Sequence, residues 1–176
     1  ENEISEDWAT QHIEAEWQSR LNETKTWKSP TDTERLIAAF DELCDQNIIA
    51  LHNAGYTTSD GEYEVVDVEQ KLRDNGIVSN GYCFYHEQDL SRAIAKEDPS
   101  LYIAFQKVDN EDDAVTIAVG KKVVEVLKKH QFEVAWNESP TTKIRIPNFK
   151  WELFYNENNV DLLDYEAVAK RMIGKN

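Results

Sequence analysis

The residues with the clearest chemical potential are His86, Glu87 and Asp89, in the stretch GYCFYHEQDL over residues 81–90. A histidine beside a carboxylate can act as a general base with an orienting partner. With Tyr56, His86 and Asp89 would line a pocket at a sheet end. A plainer reading is preferred. Asp89 caps a short helix carrying Leu90, Ala93 and Ile94, because aspartate favours the position before an apolar-periodic run. His86 is then a polar strand end. His52 closes an earlier strand, while His12 and His130 sit within helices without a partner at ligand spacing.

Other chemistries lack their residues. The loop before Glu62 has neither GxxxxGK[ST] nor GxGxxG, so it predicts no phosphate cradle. Asp60, Glu62 and Glu64 lack the spacing of a calcium loop and read as a turn running into a helix N-terminus. There is no Gly-x-Ser-x-Gly elbow, and no Cys-x-x-Cys pair for zinc. Cys44 and Cys83 lie in apolar stretches and read as buried free thiols. No catalytic residue, metal ligand or cofactor is assigned.

Charge is the strongest global signal. Acids outnumber bases 34 to 19, for a net charge of −15. Such a field repels nucleic-acid phosphates and favours a basic protein partner. The acids cluster, and Asp60, Glu62, Glu64, Asp67, Asp109, Glu111, Asp112 and Asp113 form the expected partner-binding set. Apolar runs fall far short of the ~20 residues of a membrane helix, so no membrane contact is expected and the default compartment is the cytoplasm.

The elements that must position these residues follow from periodicity. Residues 4–23 predict a helix with a stripe of Ile4, Trp8, Ile13, Trp17 and Leu21. Ser29 and Pro30 predict the cap and first turn of a second helix burying Leu36, Ile37, Phe40, Leu43 and Cys44. Strands are predicted over 48–53, 82–86, 101–106, 132–136 and 143–146. Helices are predicted over 62–73, 89–96, 112–130 and 162–173. Gly120, costly in a helix by about 1 kcal/mol, implies close approach to the sheet.

The central order matches a split βαβ, ferredoxin-like antiparallel sheet. The fold class expected is therefore α+β, with added N-terminal helices, an inserted short helix, a fifth strand and a C-terminal helix. The middle strands are apolar on both faces and need cover on both, and Trp8, Trp17, Phe40 and Leu43 of the two N-terminal helices are the expected second cover. One domain over 1–176 is predicted, with N-terminal helices at 4–46, a sheet core at 48–146 and an extension at 147–176. In that topology His52 and His86 lie toward opposite ends of the sheet, which disfavours a shared metal site.

The segments DTERLIAAFDELCDQNIIALHNAGYTTSDG, GYCFYHEQDLSRAI, LYIAFQ and VGKKVVEVLKKHQFEVAWNESPTTKIRI together resemble an uncharacterised bacterial family of unknown function. Its members carry a Gly-Tyr-x-Phe-aromatic-His-x-Gln-Asp segment. The likeness runs over residues 31–151. Some members have cysteines where this chain has Ala54 to Gly61, so a thiolate metal site does not carry over. The resemblance implies a fold and no activity.

Two functions are thus expected. The first is an acidic domain that binds a basic protein, most concretely an immunity protein or antitoxin-like inhibitor of a basic bacterial toxin. The alternative is an enzyme or small-ligand binder built on Tyr56, His86 and Asp89 at a sheet-end pocket.

Overall fold

Four short strands, β1 (Ile48–Leu51), β2 (Gly81–Phe84), β3 (Ser100–Gln106) and β4 (Ile144–Pro147), are hydrogen-bonded in the order β1-β2-β3-β4. The structure is a computed structural model describing residues 5–95, 97–153 and 161–175. β1 and β2 run parallel, with Leu51 opposite Phe84, while β2–β3 and β3–β4 are antiparallel. The architecture is α+β with a mixed sheet.

This order corrects the ferredoxin-like expectation. In a split βαβ the two strands joined by the first helix are separated by another strand. Here β1 and β2, joined by α3 (Thr58–Asp74), are direct neighbours. The expected strand over 132–136 contributes one bridge, Ala135 to Arg145. The chain there is pinned by other means, since Trp136 stacks edge-on against Phe105 and its indole donates to the carbonyls of Ser139 and Thr142.

Both faces of the sheet are covered, as the two-sided apolar strands require. α2 (Asp32–Asp45) and α5 (Asp113–Lys129) take one face, where Phe40 stacks on His52 and Gly120 abuts Phe105. A Cβ on Gly120 would lie 2.6 Å from the Trp136 ring, so this glycine does mark the predicted close approach. α3 takes the other face, with Gly61 against the Phe84 ring. The short α4 (Glu87–Ala93) packs on β3, and α6 (Tyr165–Gly174) packs against α2, α3 and β1.

α2 starts two residues later than expected. Its cap is Thr31, whose hydroxyl accepts the Glu34 N–H while the Glu34 carboxylate accepts the Thr31 N–H. That reciprocal capping box satisfies two orphan donors of the first turn. Ser29 donates to the same carboxylate. α3 likewise starts earlier than predicted, from a Thr57–Asp60 capping box.

The second cover is α2 but not α1 (Glu6–Thr24). No residue of α1 is buried, and Trp8 is 50% exposed. The predicted stripe does not form, and its first member, Ile4, lies outside the described residues. At 3.6 residues per turn a step of four overshoots by about 40° and a step of five by about 140°. The steps from Trp8 to Ile13, Trp17 and Leu21 therefore carry the side chains round to the opposite side of the helix. Among the described residues, no helix is long and apolar enough to cross a membrane.

Candidate functional site

The parallel pairing of β1 and β2 brings the segments after both strands to the same end of the sheet. The Ala54 N–H donates to the Tyr85 carbonyl at 2.9 Å and the Glu87 N–H to the Gly55 carbonyl at 3.0 Å. His52 and His86 therefore share an end, correcting their expected separation, but they point to opposite faces. His52 lies in the α2 layer, 4.5 Å from the Phe40 ring and with Nδ1 3.2 Å from Tyr85 Oη. Burial pushes its pKa down to about 3. Its surroundings are a packed wall, and it stays neutral there.

His86 lies on the other face, 6.4 Å from Phe84. It, rather than Asp89, is the N-cap of α4. Its Nδ1 accepts the Asp89 N–H at 3.3 Å, and Asp89, the third helical residue, accepts the His86 N–H at 3.4 Å. The expected cap is thus reversed in direction. An imidazole nitrogen with an extended backbone can take the role usually held by a hydroxyl or carboxylate, and Asp89 supplies the reciprocal bond in place of glutamate.

Asp89 is fully buried and His86 is 2% exposed. Asp89 Oδ1 accepts from Arg92 Nη1 at 2.9 Å, and Oδ2 accepts from Lys143 Nζ at 2.7 Å. Lys143 Nζ also lies 2.9 Å from His86 Nε2, and the Thr58 hydroxyl lies 3.2 Å from the same nitrogen. Burial is the main cause holding the His86 pKa below its ordinary value. The Asp89 charge opposes that shift, and Lys143 and Arg92 reinforce it. A cleft of about 420 Å³ opens over this cluster, lined also by Gln88 and Tyr102. The Arg92 guanidinium sits 5.9 Å over the Tyr102 ring.

Thr58, His86 and Asp89 have the composition of a nucleophilic triad without its geometry. A triad places the carboxylate on Nδ1 and the hydroxyl on Nε2. Here Nδ1 is occupied by a backbone N–H, while the Asp89 carboxylate, 3.2 Å away, crowds Nε2 together with Thr58 and Lys143. Nothing orients the ring to withdraw a proton from Thr58.

Of the sequence-predicted pocket residues, the fold brings His86 and Asp89 together and leaves out Tyr56, which is 62% exposed and does not line the cleft. Sequence reasoning missed Thr58, Arg92, Tyr102 and Lys143. Arg92 was findable, since it stands three residues after Asp89 on one helix, where opposite charges meet. Lys143 reaches the site only through the pairing of β4 with β3.

The acidic set divides by local role. Asp60 accepts from the Thr57 N–H, and the Asp112 carboxylate caps α5 by accepting the Ala114 N–H. Asp67 pairs with Lys71. Glu64 and Asp113 lie on α3 and α5 and do not line the cavity that gathers three others. Glu62, Asp109 and Glu111 share that cavity, of about 740 Å³, with Val66, Tyr82 and Lys107 among its other walls. The Asp109 carboxylate also accepts from Arg73 at 2.8 Å. Among the described residues, no group of three or more His, Cys, Asp and Glu side chains is placed to hold a metal ion.

The family described as a domain of unknown function (DUF6891) matches residues 1–153. No curated protein and no solved structure matches the chain.

Proposed function

The chain belongs to the DUF6891 family of unknown function, and we propose that it works there by binding a basic protein partner. The concrete form is an antitoxin- or immunity-type inhibitor of a basic bacterial toxin. The observation that carries this reading is the convergence of Glu62 with Asp109 and Glu111 at one cavity, although the two acidic segments are far apart in sequence. Tyr82 gives that cavity an apolar wall, and the half-exposed Val66 extends it to the surface. Such a site suits the aliphatic stem and charged head of a lysine or arginine. The net charge of −15 would speed encounter with a basic protein, more strongly at low salt.

The test is isothermal titration of the purified protein against each basic toxin-like protein encoded beside its gene. A saturable complex is expected, weakened at least about tenfold, or about 1.4 kcal/mol, by the double variant E62K/E111K. If no such protein binds, or charge reversal leaves the affinity unchanged, the reading fails.

A further inference from the structure

The cleft over His86 is locally cationic within a protein of net charge −15. Among its lining residues, Lys143 and Arg92 carry two positive charges against the single carboxylate of Asp89. With His86 neutral, one positive charge is left over. We propose that this cleft binds a small molecule through an oxyanion, with Lys143 and Arg92 as its countercharges and the Thr58 hydroxyl as a further hydrogen-bond partner.

The donors are already held in place. An ammonium has three N–H donors and a guanidinium five. Lys143 is anchored by one bond to the buried Asp89 carboxylate, and Arg92 by another to its second oxygen. Each keeps further donors at the cleft, and the Lys143 side chain is 26% exposed there. Buried anchoring of this kind reduces the side-chain entropy lost when a ligand arrives.

His86 leaves the positive charge without an outlet on the protein side. A neutral imidazole accepts at one nitrogen only. Two donors face this ring, the Asp89 N–H at Nδ1 and Lys143 Nζ at Nε2. Accepting from one leaves the other donor without a lone pair on the ring, while an Nε2–H itself has Asp89 Oδ2 and the Thr58 hydroxyl at 3.2 Å. In the tautomer that accepts the Asp89 N–H at Nδ1, the Lys143 N–H aimed at the ring needs another acceptor. A ligand oxyanion in the cleft is such an acceptor, and its bonds to Lys143 and Arg92 are of the strong charge-assisted type. The volume of about 420 Å³ falls in the range of small-ligand sites, roughly 300–1,000 Å³.

The experiment is a nitrogen-15 amide NMR titration of the full chain with inorganic phosphate and, separately, with acetate. Chloride at matched ionic strength is the control. Saturable shifts at the amides of Thr58, Asp89 and Lys143 are expected with at least one oxyanion below about 10 mM, an affinity of a few kcal/mol. Saturation by phosphate alone identifies a phosphate-bearing ligand, and saturation by acetate a carboxylate. Lys143→Met should abolish the shifts, but it removes a partner from buried Asp89 and risks the fold. Arg92→Gln, at a side chain 56% exposed, also takes a charge from Asp89 but leaves an amide N–H for its Oδ1 and Lys143 in place. With amide shifts elsewhere confirming the fold, it should weaken binding at least fivefold. Shifts that chloride reproduces, or binding unchanged in R92Q, would overturn the proposal.

Discussion

Lys143 and Asp89, separated by 54 residues, meet at 2.7 Å and tie the start of β4 to the first turn of α4. The carboxylate is fully buried, and its two oxygens are divided between Lys143 and Arg92. Removing it strands a partly buried ammonium beside His86 and breaks the α4 capping box together. Asp89→Ala should therefore cost about 3–5 kcal/mol, the usual scale for breaking a buried ion pair. Urea unfolding measures this directly. A loss below about 1 kcal/mol would mean that the pair behaves as a surface one.

The pH dependence of stability should carry the mark of His52. Its pKa in the fold is about 3 against an ordinary 6.5. The unfolded chain therefore binds a proton between those values that the fold does not. Stability is full above pH 6.5 and falls as pH drops, by about 1.4 kcal/mol per unit at most. His86, also lowered by burial, acts in the same direction. His52→Phe keeps the stacking on Phe40 and removes one titrating group. Between pH 7 and pH 5 it should lose less stability than the wild type, and equal slopes in chemical unfolding would contradict the buried neutral state.

Gly120→Ala should destabilise the protein although alanine is the better helix former. The added methyl would meet Trp136 at 2.6 Å and Phe105 at 2.7 Å. Overpacking costs about 1–3 kcal/mol, which outweighs the gain of about 1 kcal/mol in propensity. A raised melting temperature would show that the Trp136 ring gives way freely.

The two aromatic positions once expected to share one role should separate sharply. Phe40, 1% exposed, packs on His52 and Tyr85, and Phe40→Ala should cost about 3–5 kcal/mol. Trp8 is half exposed and stacks on His12 within its own helix. Trp8→Ala should stay within about 0.5 kcal/mol, as for other surface changes. A large loss at Trp8 by calorimetry would show that α1 contributes to the folded core.

What was legible in the sequence rests on short-range physics. The buried face of α2 follows from apolar residues three and four apart, and its end near Gln46 is closed by Asn47 in the left-handed region. Gly120 announced a close contact because a glycine inside a helix needs compensation. The Phe84–His86 segment announced a strand running into a cap, with the cap placed on the wrong partner, because His86 and Asp89 bond reciprocally and either could lead. The start of α3 at Thr58, capped by Thr57, was hidden by the turn-like Ser59-Asp60-Gly61, whose aspartate in fact completes a capping box.

Apart from the expected strand over 132–136, the sequence by itself determined the element types, the two-faced burial of the strands and the excess of acid, since each depends on neighbours within a turn or two or on a sum of charges. Only the tertiary structure decided that β1 and β2 are adjacent and parallel, that Glu62 meets Asp109 and Glu111, and that Lys143 reaches His86 and Asp89. Strand order and register are chosen by how whole apolar faces pack. The residues that such packing brings together carry no local sign of one another.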